Sequence, residues 1–392
     1  MPKKTWLNRN VWLISLSATF ADLGYQTIIA GFPIFLVMSL GASYEVFGVA
    51  SALAYGIGSF LGYLGGKLSD VYGSKRIAVI GNSLIILLSL IGFTNSVFIA
   101  IGLFSFGWWA RNFRSPARRV MLLDAAGSEH RQNAFGFLHA LDVGGGLLSI
   151  LVMIFLIYNK QSLNQIFLLT SIPILISTIL LAISSSGERP MRQAASQKPK
   201  SLQISKSTFY GVIMSTALYG FSSFSLGFPI LTVAQSNSSV VLGVASYALF
   251  LGVSAFVGYW IGGKRYNLVK SLSFMGYVVS AAGSFALGWA YYLHANVVLM
   301  LASVAVLGFG LGVIETIEPT IISIVSGATG EGEGMGALSG SRSFGLFLGN
   351  VIMGILYALS PLYSYSYAAA VSLVAALIML HFGRRFNPHL RS

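Results

Sequence analysis

Cysteine is absent from this 392-residue chain. Its absence excludes structural disulfides, thiolate metal sites and iron–sulfur clusters, and says nothing about redox compartment. Charge is also scarce. Asp, Glu, Lys and Arg together make up 9% of the residues, and the 11 acids are outnumbered by 24 bases. The five histidines, His130, His139, His294, His381 and His389, show no metal-ligand spacing. A phosphate-binding loop is missing as well. Gly258-x-x-x-x-Gly263-Lys264 mimics one, but Arg265 replaces the required Ser or Thr and no strand precedes it.

Apolar residues are what the chain has in excess. Hydrophobic residues make up 55% of it, and mean hydropathy is +0.77. A soluble protein of this composition would lack the polar surface to cover its core. With 44 glycines and 13% aromatics, it reads as a helical protein that crosses a membrane many times. The opening MPKKTWLNRN leads into about thirty mostly apolar residues. That run is too long for a signal peptide and predicts the first membrane helix.

Spans of about 20 apolar residues are predicted at 11–39, 46–66, 77–94, 98–123, 133–157, 163–184, 208–234, 240–262, 271–292, 297–325, 337–358 and 364–383. Between the sixth and seventh lies a polar, basic, proline-containing segment. The expected organisation is therefore a bundle over 1–186, a cytoplasmic linker over 187–207 and a second bundle over 208–392. With the N-terminus inside, one side holds Lys67, Lys75, Arg76, Arg131, the linker bases, Lys264, Arg265, Lys270 and the basic tails, while the other holds only Lys160. This asymmetry places both termini in the cytoplasm. It also assigns the net charge of +13 to contact with an anionic leaflet and not to nucleic acid.

The two halves repeat. Gly31-Phe32-Pro33-Ile34 recurs as Gly227-Phe228-Pro229-Ile230, and Gly48-Val49-Ala50-Ser51 as Gly243-Val244-Ala245-Ser246. Gly62-Tyr63 with Gly65-Gly66-Lys67 is echoed by Gly258-Tyr259 with Gly262-Gly263-Lys264. Six helices per half make the repeats parallel in topology.

Gly66-Lys67-Leu68-Ser69-Asp70-Val71-Tyr72-Gly73-Ser74-Lys75-Arg76 resembles the signature between helices two and three of the major facilitator superfamily (MFS). Val71 and Ser74 stand where two basic residues are usual. The resemblance implies an all-α membrane fold of twelve helices in two parallel six-helix repeats. It also implies alternating access, with helices one, four, seven and ten lining a central cavity. Within the motif Gly66, Asp70, Gly73, Lys75 and Arg76 would form the inner-face element. Its glycines permit a tight turn, and Asp70 would latch onto the amides at the start of helix eleven. Arg111-x-x-Arg114-Ser115-x-Ala117 is similar to the fourth-helix motif of proton-coupled members, with Arg114 at the usual glutamine. In such members the first arginine tunes a protonatable acid. Gly144-Gly145-Gly146 partly resembles the fifth-helix pattern of antiporters, without its proline.

Charge inside the membrane concentrates in Phe106–Gly146, which carries Arg111, Arg114, Arg118, Arg119, Asp124, Glu129, Arg131 and Asp142. A charge at the bilayer centre costs roughly 2.5–3.5 kcal/mol on insertion scales, so such residues face partners or water. Asp22 lies about 12 residues into helix one, near the midplane. Two readings of it stand open: a proton carrier tuned by Arg111, or a permanent ion pair with Arg111. Arg118, Arg119, Asp124, Glu129 and Arg131 are expected near the inner surface, in topology and latch duties. In the second half Glu315-x-x-Glu318-Pro319 and Arg342 invert the charges of Arg114 and Asp142. These five are expected to support or gate, either by pairing within each half or by pairing across the halves. Trp108, Trp109, Tyr25, Phe221 and Phe224 are candidates to line an aromatic cavity, and His139 to hydrogen-bond near Asp142.

The expectation is a secondary transporter of the cell membrane, not an enzyme, that moves a small molecule outward by proton-coupled alternating access. Its implied partners are the substrate, protons and the bilayer, with no cofactor and no nucleic acid, the chain acting as a monomer. Uptake or uniport of a small ionic solute is the alternative. A receptor or assembly factor would call for large domains outside the membrane.

Overall fold

The computed structural model describes residues 6–127, 130–185, 206–262, 267–326 and 331–383. Most of the linker expected at 187–207 lies outside these residues, as do Lys3, Lys4, Glu129, Lys264, Arg265, Arg384, Arg385, His389 and Arg391. Among the described residues every regular element is helical. The rods of the first half are Arg9–Ser39, Tyr44–Tyr72 and Ser74–Phe93, Val97–Ala126, Arg131–Tyr158 and Leu163–Ile183. Those of the second half comprise a seventh, in two segments Lys206–Ser222 and Gly227–Ser236, then Val240–Gly262, Leu268–Tyr292, Val297–Ser326, Glu331–Leu359 and Pro361–Gly383. Eleven of these twelve are long and apolar enough to cross a membrane. The exception is helix four, Val97–Ala126, which carries Arg111, Arg114, Arg118, Arg119 and Asp124.

Local chemistry explains where the rods start. Asn8 caps helix one, its side chain accepting from the amides of Asn10 and Val11 at 3.0 and 3.1 Å. Ser162 and Gln165 form a reciprocal capping box at the start of helix six. The rods are not uniform. Helix one, which contains Pro33, ends in a π-helical segment at Phe35–Ser39, helix two changes to one at Ala52–Gly56, and helix nine at Leu272–Val278. Helix three narrows to 3₁₀ geometry over Ile85–Phe93.

The structure moves one sequence boundary in a way that matters. Helix two runs on to Tyr72, so most of the Gly66–Arg76 motif is helical and not a loop. Ser69 donates to the Gly66 carbonyl at 2.7 Å. The chain turns at Gly73, whose φ of +90° is favourable for glycine alone among the residue types.

Packing repeats between the halves. Helix one lies against five and six, as seven lies against eleven and twelve. Two and three pack on four, as eight and nine pack on ten. Lipid tails offer no hydrophobic drive between helices, so small residues set how closely backbones approach. A Cβ on Gly145 would meet the Thr19 carbonyl oxygen at 2.4 Å, and one on Gly345 would meet that of Ala217 at 2.6 Å. The same contact thus joins helices one and five and helices seven and eleven.

The chain divides into two compact units, Met1–Ala42 with Ile57–Ala195, and Ser43–Gly56 with Ser196–Ser392. Helix two contributes to both. Its first turns belong to the second unit because the Tyr44 hydroxyl donates to Gln235 Oε1 at 3.0 Å and Phe47 lies edge-on to Phe228. Gly48 there comes so close to helix eleven that a Cβ would stand 2.6 Å from the Asn350 carbonyl oxygen. Each unit has its own apolar core. One gathers Val11, Ile14, Ala18, Ile77, Met121 and Leu122; the other gathers Val212, Val257, Leu272, Val313, Ile317 and Met379.

Among the described glycines the tightest approach is between helices two and four. A methyl at Gly65 would sit 2.0 Å from the Phe113 carbonyl oxygen, a backbone atom that cannot swing aside. Gly65→Ala should lower stability by about 1–3 kcal/mol, read as an earlier melt in detergent. Gly62→Ala on the same helix, where the nearest atom is at 3.5 Å, should melt as the parent does. Equal melting of both variants would contradict this packing.

Candidate functional site

In the first unit the membrane-embedded charges gather on helices one, four and five. Asp22 is 4% exposed and Tyr25 1%. One turn separates them, so both side chains lie on the same face of helix one. The Tyr25 hydroxyl donates to Asp22 Oδ1, and Gln26 Nε2 donates to the same oxygen at 3.3 Å. Among the described residues none is hydrogen-bonded to Asp22 Oδ2, which is buried.

Arg111 approaches this group from helix four. Its Nη2 donates to the Tyr25 hydroxyl at 3.4 Å and its Nη1 to Asn112 Oδ1 at 3.1 Å. The guanidinium carbon lies 5.4 Å from the centre of the Tyr25 ring and 4.9 Å from that of Trp108, within cation–π range. Among the described residues no ion pair closes between Asp22 and Arg111. The expected acid and base do meet, with a phenol between them.

The structure separates Arg114 from Asp142. Arg114, fully buried, donates from Nη1 to Asn82 Oδ1 on helix three. Asn82 Nδ2 in turn donates to Ser177 Oγ at 3.1 Å and Thr178 Oγ1 at 2.8 Å on helix six. Ser177 closes onto the Ser17 carbonyl of helix one at 2.6 Å. Arg114 therefore anchors four helices through neutral polar groups. Asp142 pairs instead with Arg118, Oδ2 to Nη2 at 3.3 Å. Arg118, expected near the inner surface, is 5% exposed and has an ion-pair partner besides any topological role. An arginine so buried needs an acid, and helix five supplies it in Asp142.

The second unit holds a counterpart. Arg342 on helix eleven donates from Nη1 to Glu318 Oε2 at 3.2 Å and from Nη2 to Glu315 Oε1 at 2.6 Å. Glu318 is fully buried and accepts from the Tyr277 hydroxyl at 3.4 Å. Tyr277 stacks on Tyr219, with ring centres 4.7 Å apart.

Two of these pairs are mirror images in sequence. Arg118 and Asp142 are 24 residues apart, and so are Glu318 and Arg342; each residue has its equivalent 200 positions on. The N···O distances are 3.3 and 3.2 Å. Side-chain exposures are 6% and 25% in one pair and 1% and 24% in the other. Geometry is repeated while the sign of each charge is reversed. The expected charge inversion is thus present, with Arg118, not Arg114, as the equivalent of Glu318. The repeated 24-residue spacing is the signal that could have located it.

Other expected residues fall elsewhere. Asp70 and Arg76 are exposed, Lys75 half-buried and His139 exposed. Sequence reasoning treated Tyr25 only as a lining aromatic and passed over Asn82 and Tyr277.

Comparison with known proteins agrees with this architecture. The family model of the Major Facilitator Superfamily matches residues 14–275. An uncharacterized MFS-type transporter of Methanocaldococcus jannaschii is 22% identical over 391 residues, covering 95% of each chain. Among solved structures, the inward-open xylose transporter XylE from E. coli has a TM-score of 0.69 at 16% identity, covering 95% of this chain and 96% of that one. A POT family transporter in complex with 5-aminolevulinic acid has a TM-score of 0.77 at 12% identity, covering 99% of each. With the family model spanning more than half of its length, the chain belongs to the Major Facilitator Superfamily.

Proposed function

We propose that this MFS transporter is a secondary active exporter of a small molecule, driven by protons and working by alternating access. The observation that carries the proton is Asp22, buried on helix one with Oδ2 unpartnered and Oδ1 joined through Tyr25 to Arg111. An acid in direct contact with an arginine stays ionised. An acid held at one remove from the arginine can take and lose a proton. The likeness of Arg111-x-x-Arg114 to the motif of proton-coupled members supports the same role, and Gly144–Gly146 supports the outward direction.

Within this reading Asp22 and Arg111 couple proton to substrate. Arg114, Asp142, Glu315, Glu318 and Arg342 hold the helices of their own units. Asp70, with Gly66, Gly73, Lys75 and Arg76, forms the inner-face element. The chain acts as a monomer in the cell membrane with both termini cytoplasmic.

The second reading, uptake or uniport of an ionic solute, is favoured by one feature. Glu315 and Glu318 share the single Arg342, which leaves a negative charge for a cationic solute. Purified protein in vesicles separates the two. Export by proton exchange predicts that a dye or metabolite moves against an imposed pH gradient and that an ionophore which collapses the gradient stops it. Flux that tracks only the solute gradient would support uniport instead.

A further inference from the structure

Proton coupling requires that one group register the proton and another group change because of it. Asp22 is the first in the reading above, and Arg111 the second. They are on different helices, and the Tyr25 hydroxyl oxygen is hydrogen-bonded to both. A phenol hydroxyl has one hydrogen to give and lone pairs to receive. Here the hydrogen goes to the carboxylate, and a lone pair accepts from Arg111 Nη2. Tyr25 is 1% exposed and has Trp108 edge-on at 6.0 Å, so its ring is not free to turn away.

We infer that Tyr25 is the positioning residue that transmits the protonation state of Asp22 to Arg111. This rests on the coupling role proposed for Asp22. With Asp22 ionised, the phenol donates a charge-assisted bond, roughly twice as strong as a neutral one, and this polarises its oxygen toward the guanidinium. A proton arriving at the bare Oδ2 cancels the carboxylate charge. No covalent bond other than the new O–H forms or breaks. The phenol then has only a neutral carbonyl oxygen to donate to, and its hold on Arg111 weakens. Arg111 is left with Asn112 Oδ1 and the faces of Tyr25 and Trp108, contacts that permit it to move. Proton loading thereby releases the arginine.

The other charged groups facing this point are few. Asp22 stands in the field of Asp142 on helix five and of Arg111 and Arg118 on helix four. Tyr25 also feels Arg114. Asp142 and Arg118 are occupied with each other at 3.3 Å, and Arg114 with Asn82. None of the three is hydrogen-bonded to Tyr25 or Asp22 among the described residues, so the phenol is the connection that responds.

The test is a titration of the Asp22 carboxyl by difference infrared spectroscopy on the full-length protein in vesicles, with Asp22→Asn identifying its band. Tyr25→Phe removes the hydroxyl and keeps the ring. The pH of half-protonation of Asp22 should rise by about 1–2 units, since a donor to the charged form has been lost. The C=O band of the protonated acid should move to higher frequency. A midpoint that stays put, or moves down, overturns the inference. Should Tyr25→Phe fold poorly, 3-fluorotyrosine placed at position 25 supplies a stronger donor in an intact site. The midpoint should then fall, and a constant midpoint overturns the inference equally. Flux under a pH gradient is measured separately. A shifted titration with pH-independent flux would remove the coupling reading and leave the Tyr25–Asp22 link standing. A fixed titration with pH-driven flux would do the reverse.

Discussion

Asp22→Asn should abolish proton-driven accumulation while leaving the protein folded. One proton per cycle across a one-unit pH gradient is worth about 1.4 kcal/mol, enough for roughly tenfold accumulation. The amide cannot carry that proton, so the accumulation ratio should fall to about one. The substitution is nearly isosteric. The remaining carbonyl oxygen still accepts from Tyr25 and Gln26, as Oδ1 does now. The amide nitrogen replaces Oδ2, to which no described residue is hydrogen-bonded, so no protein hydrogen bond seen there is lost. Downhill exchange of substrate should therefore survive, and elution and melting should be close to those of the parent. Undiminished pH-driven accumulation by Asp22→Asn would remove this acid from the mechanism.

Arg342→Ala should be among the most destabilising single changes in the second unit. It strips the counter-charge from Glu318, which is fully buried, and from Glu315. Breaking a buried pair by removing one partner typically costs about 3–5 kcal/mol, and the Tyr277 hydroxyl at 3.4 Å is a weak substitute. The double change Glu318→Leu with Arg342→Leu removes both charges of the pair and should melt well above the single variant, since an apolar pair of similar volume is often neutral. Arg118→Ala in the first unit should cost less. The acid it abandons, Asp142, has a quarter of its side chain exposed and can be reached by water. A melt of Arg342→Ala equal to that of the parent, or of the double variant no better than the single, would refute this account.

The charge-inverted pairs also bear on gating. Glu318 and Arg118 occupy equivalent positions, and each has an ion-pair partner within its own unit. A gate built from Arg114 and Glu318 would have to draw Glu318 from Arg342 and Arg114 from Asn82. Asn82, fully buried, and Arg342 would be left behind, a cost that weighs against such a gate.

The number of helices, their approximate ends and the division into two repeats were all legible in the chain. Each depends on composition along a single axis: about 20 apolar residues span a bilayer, and repeated tetrapeptides keep their order whatever the fold. Helix four shows the boundary of that logic. Its arginines are too many for a simple apolar span, yet Val97–Ala126 is one unbroken helix because neighbouring helices supply partners that hydropathy does not see. Which acid meets which arginine was not legible. Arg111, Arg114 and Arg118 follow one another at helical spacing, and that spacing does not say which of them faces Asp22 or Asp142. The choice depends on the rotation and offset of helices one, four and five, fixed by close approaches such as that of Gly81 to Arg114 and that of Gly145 to the backbone of Thr19. That close approach, and its repetition at Gly345, is a property of packed surfaces. Packing of this kind gave Arg118 to Asp142, left Arg114 to Asn82, and put the hydroxyl of Tyr25 between Asp22 and Arg111.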